Sequence, residues 1–387
     1  MGSTMRVVQL DFADAAFPAS LVDAPVPDLP GPDWVRVDVA AGGICGSDLH
    51  LFNQATGPAQ SLSGFVVLPM DLGHEIAGHV VEAGPTSGIA EGTAVAVDPV
   101  IACEARGIKP MCRHCANGRV SACHNFGSRV LTRGMGLGFT AGLGSGWADA
   151  VVAHRSMIHP LPVDLPVQNA ALHEPLSIAI HGLMRTPPDN GDPVLIVGAG
   201  IIGLCAAAAV GALFPASPIT ILAKHDHQAR AARALGAANV VMLADAGAHF
   251  DALADIVDTP VRGKGAGRML ARGFPYVVEA VGTESAVTDT LRLADGRGTV
   301  LLLGAAGISN VDLSPLWFKE LSVVGSFCHA SDNGTHSIDS ALELLASNTL
   351  PPDLVITHTF PLDAYRDAVN VALDRGASAA IKVLLTP

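Results

Sequence analysis

One cysteine, one histidine and two glutamates form a potential metal-binding set. These residues are Cys45, His74, Glu75 and Glu174. A thiolate, an imidazole and one of the two carboxylates give a mixed sulfur, nitrogen and oxygen set, which suits zinc better than magnesium or calcium. Three protein ligands leave a fourth position open, so the metal could act as a Lewis acid on an alcohol or carbonyl oxygen. The sequence therefore predicts a catalytic zinc site.

The neighbours of Cys45 strengthen this prediction. A single cysteine is most often a buried apolar residue, and a single histidine such as His74 is most often a hydrogen-bonded one. Here Ser47, Asp48 and His50 follow Cys45 closely, so polar groups are concentrated beside the thiol. Ordinary turn polarity is the alternative explanation for Ser47 and Asp48. We interpret the concentration as part of an active site.

Four further cysteines occur within 21 residues, at Cys103, Cys112, Cys115 and Cys123. In a reducing compartment such a cluster binds a metal more often than it forms disulfides. Four thiolates can complete a tetrahedral zinc site with no open position, which staples a lobe that has little core of its own. The sequence therefore predicts a second, structural zinc, with free thiols as the alternative.

A glycine-rich turn follows an apolar segment in the second half of the chain. The turn reads Gly198-Ala199-Gly200-Ile201-Ile202-Gly203. This pattern alone is weak evidence, but a preceding strand and a following alanine-rich helix are the context that dinucleotide binding requires. Gly198 permits the tight turn, Gly200 lets the backbone approach a pyrophosphate, and Gly203 allows close helix–strand packing. A glycine turn without a ligand is the alternative.

Beyond residue 194 the sequence alternates between apolar strands and helical patterns. The predicted strands are 194–197, 219–222, 240–243, 276–281, 299–303 and 321–324, and 228–235 is one of the intervening helices. This alternation is typical of an α/β fold with a doubly wound parallel sheet. The uncharged stretch 194–214 is long enough for a membrane span, but its glycines favour a buried strand that turns into a helix.

The first hundred residues are typical of short strands broken by proline and glycine. We therefore predict a mainly β catalytic domain at 1–170, a nucleotide-binding Rossmann domain at 171–321 and a C-terminal segment at 322–387. A helix at 169–186 carries Glu174 and is the predicted hinge between the domains.

A segment with six glycines, 134–146, precedes the end of the first domain. Glycine gives a chain conformational freedom, so we expect this segment to lie outside the core. It is either a crossing rich in turns or a part of the substrate mouth.

Composition limits the partners of the protein. With 387 residues, 49% of them hydrophobic, the chain is long enough for two domains and a large core. Its net charge of -13 argues against nucleic acid and anionic membranes, both of which need a basic face. Aspartates and prolines near the start replace the apolar run of a secretory signal, so the cytosol is the expected location.

These motifs, in this order, resemble those of the zinc-dependent medium-chain dehydrogenases, the alcohol and polyol dehydrogenase superfamily. The resemblance covers nearly the whole chain and is carried by the segments 43–48, 73–75, 103–123, 174–176, 198–203 and 317–321. It implies a GroES-like β barrel as the catalytic domain, to which the segment 322–387 returns. It also implies a homodimer or homotetramer. The Glu174-Pro175-Leu176 context resembles the polyol, butanediol and threonine dehydrogenase branches, which favours secondary alcohols or polyols as substrates.

The resemblance also implies roles for the site residues. Ser47 would take the substrate proton and pass it through the cofactor ribose to His50 and solvent. Asp48 would accept a hydrogen bond from the ring of His74 and fix its tautomer. Glu174 would be the third zinc ligand in preference to Glu75, because its carboxylate occupies the position at which other branches of the family place a cysteine.

Two further positions depend on comparison with that family. Its first two structural cysteines are usually separated by two residues, whereas eight separate Cys103 from Cys112, so His114 is an alternative to Cys103. Lys382 could reach the cofactor phosphates, or it could be an ordinary solvated lysine.

The residues after the second strand of the nucleotide domain predict a preference for NADP(H) over NAD(H). An NAD-binding fold usually has an acidic residue about 20 positions past its glycine motif, where it binds the ribose 2'-hydroxyl. Here Ala223, Lys224 and His225 occupy that region, so a 2'-phosphate would meet neutral or positive groups. Asp226 is the objection, but its position before a helical pattern suits an N-cap.

We therefore expect a dehydrogenase with two zinc ions per subunit that transfers hydride between an alcohol and a nicotinamide cofactor. A zinc-free reductase of the quinone or enoyl type is an alternative on the same fold, although it would be expected to lack the cysteine and histidine ligands. A nucleotide-binding protein without catalysis is the second alternative.

Overall fold

A computed structural model describes residues 3–14, 17–52, 67–128, 130–332 and 334–387. Numbered along the chain, its strands are β1 Thr4–Leu10, β2 Ala19–Pro25, β3 Trp34–Gly43, β4 Met70–Asp71, β5 Glu75–Ala83, β6 Ala94–Val97, β7 Ala150–His154, β8 Ile158–Pro160, β9 Val194–Val197, β10 Ile219–Ala223, β11 Asn239–Met242, β12 Val261–Arg262, β13 Met269–Leu270, β14 Phe274–Glu279, β15 Ala294–Leu302, β16 Ser322–Gly325, β17 Ser331–Asp332, β18 Thr335–His336, β19 Ile356–Pro361 and β20 Lys382–Thr386.

The helices are numbered in the same way. They are α1 Gly46–Phe52, α2 His173–Arg185, α3 Ile201–Leu213, α4 Asp226–Ala234, α5 His249–Ile256, α6 Glu284–Leu293, α7 Ser314–Phe318, α8 Ser337–Ala346, α9 Pro352–Val355, α10 Tyr365–Leu373 and α11 Arg375–Ser378. In the described part of the chain, no helix combines the length and the apolar character that a membrane crossing requires.

The chain divides into two compact units. The first unit contains 1–174, 328–348 and 356–387, and the second contains 175–327 and 349–355. The predicted boundaries were 170/171 and 321/322. The second boundary differs because β16, which the prediction assigned to the C-terminal segment, pairs with β15 in the parallel sheet of the second unit.

Two sheets build the first unit. The larger has the strand order β19-β20-β3-β5-β6-β8, with β7 also paired to β3, and the smaller has the order β2-β1-β4. All pairs of the larger sheet are antiparallel except β19 with β20. Alternating apolar residues of β3, such as Val35, Val37 and Val39, lie in one core together with Ile76 and Val95.

The second unit confirms the predicted doubly wound parallel sheet. Its strand order is β11-β10-β9-β14-β15-β16, and every pair is parallel. The order reverses between β9 and β14, which is where such sheets bind nucleotides. β9 is buried along its whole length because sheets of this kind are covered on both faces. The largest difference from the predicted bounds is at β15, which begins at Ala294 rather than at Thr299.

The glycine-rich segment 134–146 corrects the expectation that it would lie outside the core. Leu137 and Leu143 are buried in the same core as the β3 valines. A Cβ on Gly134 would lie 2.2 Å from the carbonyl oxygen of Phe139, and one on Gly144 would lie 2.1 Å from that of Ala150. The glycines therefore allow backbone to pack directly against backbone, which buries the segment.

Candidate metal centre

Two neighbouring strands of the first unit bring the predicted zinc ligands together. β3 ends at Gly43, β5 begins at Glu75, and these two residues are paired across the antiparallel ladder. Cys45 lies just after β3 and His74 just before β5, so both come from the same end of the strand pair. Ligand atoms of Cys45, His74 and Glu75 lie within 4.8 Å of one another. This is a spacing that a modest adjustment would bring to metal-ligand geometry.

Glycines at both strand ends make this approach possible. A Cβ on Gly43 would lie 1.7 Å from Oε2 of Glu75, so only glycine leaves room for that carboxylate. Gly73 has a φ of +93°, and a Cβ there would lie 2.1 Å from Cδ1 of Trp147. The buried indole of Trp147 donates a hydrogen bond of 3.0 Å to the carbonyl oxygen of Gly43. Trp147 therefore contacts both the end of β3 and the residues before β5, and it fixes their positions.

Asp48 orients two of the candidate ligands. It is fully buried on α1, and its Oδ2 accepts a hydrogen bond of 2.9 Å from the backbone N–H of Cys45. Its Oδ1 lies 3.4 Å from Nδ1 of His74. Burial opposes a charge on His74, but the carboxylate of Asp48 and the thiol of Cys45 raise its pKa well above the usual value. With Nδ1 facing Asp48, Nε2 is the nitrogen that can bind a metal.

The predicted relay residues lie on the same short helix. Ser47 is half-buried, and its Oγ lies 3.4 Å from Nε2 of His74. His50 follows three residues later and is exposed. Positions three apart share one face of a helix, so Ser47 and His50 lie on the same side of α1.

Lys382 is neither solvated nor available to a phosphate, which corrects the prediction for this residue. It opens β20, which pairs with β3, and its side chain is fully buried. Its ammonium donates hydrogen bonds of 2.6 and 2.7 Å to the two carboxylate oxygens of Glu75 and one of 3.0 Å to the carbonyl oxygen of Ile44. Burial opposes its charge, but the carboxylate of Glu75 raises its pKa. All three ammonium protons are used inside the first unit.

Sequence reasoning missed this ion pair, although one signal was available. Lys382 interrupts an apolar strand, Ile381-Lys382-Val383-Leu384-Leu385. A charge inside such a run indicates a buried group that requires a partner.

Glu174 lies near this cluster but not within it. It is the second residue of α2 and is 2% exposed. Burial raises its pKa to about 6; the charge of His74 lowers it and that of Glu75 raises it. The distances favour Glu75 over Glu174 as the third ligand, contrary to the preference drawn from the family motif.

The glycine-rich segment 134–146 covers His74. The ring of Phe139 lies 4.9 Å from the imidazole ring, with the two planes tilted by 32°. A Cβ on Gly138 would lie 3.0 Å from Cβ of His74. The segment therefore forms one wall beside the candidate ligand His74.

The four cysteines of the predicted structural site also meet in space. Sulfur atoms of Cys103, Cys112, Cys115 and Cys123 lie within 4.8 Å of one another, and all four thiols are free. The Sγ atoms of Cys103 and Cys123 are 3.6 Å apart, far longer than a disulfide bond. Cys103 belongs to this cluster, and its alternative His114 does not.

The electrostatics of this cluster fit a bound cation. Burial raises the pKa values of Cys115 and Cys123. Burial also opposes ionisation of Cys112, but backbone N–H groups of residues 115, 124 and 114 lower its pKa to about 6. The amide of Asn125 adds a donor at 3.0 Å from the sulfur of Cys103. Four sulfurs this close cannot all ionise without a compensating cation, and tetrahedral zinc suits four thiolates.

The glycine turn of the second unit has the geometry that a pyrophosphate requires. Gly198 follows β9 with a φ of +102°, and a Cβ on Gly203 would lie 1.9 Å from the carbonyl oxygen of Gly198. A Cβ on Gly200 would meet no described atom within 4 Å, so the backbone is open on that side. α3 begins with Ile201 and Ile202, and its N-terminal N–H groups can bind a phosphate there.

A buried carboxyl group supports the same edge of the sheet and was not predicted. Glu279 ends β14 and is fully buried. Its Oε1 accepts hydrogen bonds of 2.9 and 2.8 Å from the backbone N–H groups of Val281 and Gly282. Burial raises its pKa. The sequence did contain a signal for this buried carboxyl group, because Glu279 is a charged residue within the apolar run 276–281.

The end of β10 differs in one respect from the prediction. Ala223 is buried at the end of the strand, Lys224 is exposed and His225 is half-buried. The N-cap of α4 is His225, whose N–H donates to Oε1 of Gln228 at 3.4 Å, whereas Asp226 is the exposed first residue of the helix. Asp226 is therefore not the capping residue, because the helix begins one position earlier than expected.

Two family models of known proteins match parts of the chain. Residues 31–163 match the family model of the alcohol dehydrogenase GroES-like domain, and residues 198–347 match that of the zinc-binding dehydrogenases.

Similar proteins extend over nearly the whole chain. The L-threonine 3-dehydrogenase of Pyrococcus abyssi is 31% identical over 376 residues, which cover 95% of each chain. The sorbitol dehydrogenase of Bombyx mori is 29% identical, with 93% of each chain covered. A solved structure from Sinorhizobium meliloti 1021, described as a zinc-binding dehydrogenase bound to NADP, is 28% identical, covers both chains fully and superposes with a TM-score of 0.76.

Proposed function

The chain belongs to the zinc-type medium-chain alcohol and polyol dehydrogenases, and from this we propose that it transfers hydride between a secondary alcohol or polyol and NADP(H). Family membership makes it an oxidoreductase and supports zinc and a nicotinamide cofactor. The observation that carries the proposal is the group of Cys45, His74 and Glu75 ligand atoms within 4.8 Å, beside Ser47 and Asp48.

The residues of the first unit supply the binding and the proton transfer. Zinc bound by Cys45, His74 and Glu75 would supply a Lewis acid toward the substrate oxygen, and the nicotinamide would supply the hydride acceptor. Asp48 holds the first two ligands in position through its two carboxylate oxygens. The hydroxyl of Ser47 accepts the proton that the alcohol loses and releases its own, which the exposed ring of His50 delivers to solvent.

The cysteine cluster has a separate role in this proposal. Cys103, Cys112, Cys115 and Cys123 hold a second zinc that has no open position, so it contributes folding energy rather than chemistry. Four sulfurs that share one site account for this division, since a substrate could not reach a metal enclosed by all of them.

A substrate panel tests the proposed function. Primary, secondary, polyol and aromatic alcohols are each oxidised with NAD+ and with NADP+, and cofactor reduction is followed by absorbance. We expect the highest kcat/KM with a secondary alcohol or a polyol. If no alcohol or carbonyl compound is turned over, the protein is a nucleotide-binding module without catalysis and the proposal is wrong.

The two glutamates are expected to differ in their effect on bound metal. Glu75→Gln removes a carboxylate that lies with Cys45 and His74, so we expect loss of one zinc per subunit and of activity. Glu174→Gln is expected to retain that zinc and to lower kcat, because a buried acid with a pKa of about 6 stands beside the ligands. Metal analysis by mass spectrometry of both purified variants checks this.

The reverse outcome would assign the third ligand to Glu174. Full zinc in Glu75→Gln together with a missing zinc in Glu174→Gln would be that outcome. Glu82→Gln is the matched control, because its carboxylate lies on the same strand as Glu75 and pairs with Arg36 at the surface.

Lys224 is expected to favour NADP(H). The exposed ammonium lies at the end of β10, and the similar Sinorhizobium protein was solved with NADP bound. A hydrogen bond to a charged phosphate contributes about 1.5–3 kcal/mol, so Lys224→Ala is expected to lower kcat/KM for NADP+ on the order of tenfold or more. The value for NAD+ is expected to change little. Steady-state kinetics with both cofactors measure this difference.

Two results would contradict the cofactor preference. One is a higher kcat/KM of the unmodified enzyme with NAD+, which would give the exposed Asp226 the ribose-binding role. The other is an equal effect of Lys264→Ala, a control that removes an exposed lysine from the turn between β12 and β13. The cytosolic location and the homodimer or homotetramer stay predictions.

A further inference from the structure

We propose that the first unit contains another metal site, separate from both zinc sites above, formed by Asp98, His159 and His336. Ligand atoms of these three residues lie within 4.8 Å of one another. Two imidazoles and one carboxylate suit a late first-row divalent ion such as zinc, cobalt, nickel or iron(II).

The fold brings the three ligands together from distant parts of the chain. Asp98 follows β6, and His159 lies on β8, which pairs with β6. His336 ends β18 and is the N-cap of α8. The segment 328–348 therefore contributes one ligand to a site whose other two ligands belong to the main sheet. A metal there would fasten this segment to the sheet.

The distances do not describe a complete hydrogen-bonded network. Nε2 of His336 lies 3.7 Å from Oδ2 of Asp98, which is too long for a hydrogen bond. Two ligands of one tetrahedral metal lie about 3.4 Å apart, close to that separation. Nε2 of His159 is buried and has no hydrogen-bond partner among the residues that the structure describes. A cation between these three atoms would account for both observations.

Neighbouring groups already orient two of the ligands. Oδ1 of Asp98 lies 2.6 Å from Nε2 of His329 and accepts a 2.7 Å bond from the N–H of Val100, so Oδ2 remains for a metal. Nδ1 of His159 lies 2.6 Å from Oδ1 of Asp339, as in many sites where a carboxylate fixes the tautomer of a metal-binding histidine.

One hydrogen bond to His336 is incompatible with metal binding and would be lost when a metal binds. Nδ1 of His336 accepts the N–H of Ile338 at 3.3 Å, whereas binding through Nε2 requires the ring proton on Nδ1. The contact is long for a hydrogen bond, so its loss is small beside a metal-ligand bond.

Metal stoichiometry tests the site without using activity. The protein, purified with its zinc, is dialysed against Co2+ and then against metal-free buffer, and zinc plus cobalt per subunit is counted by mass spectrometry. We expect the unmodified protein to hold one equivalent more than His159→Gln or His336→Asn. Cobalt at this site is expected to give visible ligand-field bands without a thiolate charge-transfer band, because no cysteine is a ligand.

The variants are chosen to keep the fold. Asparagine at position 336 can still cap α8, and glutamine at position 159 can still donate to Asp339. If one variant does not fold, the other decides. His358→Gln, which removes a half-buried histidine of β19 outside the proposed site, is the control and is expected to retain the full metal content. Equal metal in the unmodified protein and the folded variants would overturn the proposal, whatever the occupancy of the two cysteine-containing sites.

Discussion

Lys382→Met is expected to destabilise the first unit of the protein depleted of its catalytic zinc by about 3–5 kcal/mol, because it leaves the carboxylate of Glu75 buried without a cation. Both side chains are fully buried and joined by hydrogen bonds of 2.6 and 2.7 Å. Urea unfolding followed by tryptophan fluorescence measures the loss. Trp34 and Trp147 are buried in the first unit, whereas Trp317 of the second unit is 73% exposed, so the signal reports mainly on the first.

A double variant separates the lost pair from a general packing defect. In Lys382→Met/Glu75→Gln the uncompensated charge is absent, so this protein is expected to be more stable than Lys382→Met alone. Lys319→Met is the matched control, because the ammonium of Lys319 is also buried but donates to three backbone carbonyls. A loss of about 1–3 kcal/mol is expected there, measured by far-UV circular dichroism because Lys319 lies in the second unit. Equal losses in Lys382→Met and the double variant would exclude a role for the charge.

Cys45→Ser and Cys115→Ser are expected to differ in effect, the first on turnover and the second on thermal stability. Cys45→Ser removes a ligand of the open site, so we expect kcat to fall on the order of a thousandfold with little change in Tm. Cys115→Ser opens the four-cysteine cluster, so we expect Tm to fall by roughly 10 °C or more and yield to fall with it. Turnover assays and thermal unfolding of both purified variants measure the two effects.

The control for both cysteine variants is Cys205→Ala. Cys205 is buried on α3, outside both clusters, so its loss is expected to leave the zinc content unchanged. If Cys45→Ser and Cys115→Ser lost activity equally without any change in Tm, the assignment of one catalytic and one structural site would be wrong.

Much of the fold could be predicted because its signals are local. β9 and β10 are short continuous apolar runs, which buried parallel strands require, and their predicted bounds agree with the structure to within one residue. The candidate ligands Cys45 and His74 could be predicted for the same reason, since glycines and polar residues surround each of them in sequence. The neighbouring residues in such short motifs are enough to identify a candidate ligand.

The features that sequence did not reveal depend on contacts between distant residues. Lys382 could not be matched to Glu75, because no local pattern identifies a partner in another strand. The segment 134–146 was expected outside the core because glycine predicts flexibility, yet the absence of side chains is what allows its backbone to pack closely. The site at Asp98 and His159 is assembled by strand register, which becomes known only once the sheet is known.

The partnership of Glu75 and Lys382 also has a consequence for synthesis of the protein. The two residues are 307 positions apart. At the usual rate of about 5–20 residues per second, a ribosome needs roughly 15–60 s to pass from one to the other. All strands of the second unit's sheet are synthesised within that interval, whereas the nascent first unit lacks the cation of Glu75 until the interval ends. The parallel sheet can therefore fold first, and the metal centre is completed only when β20 pairs with β3.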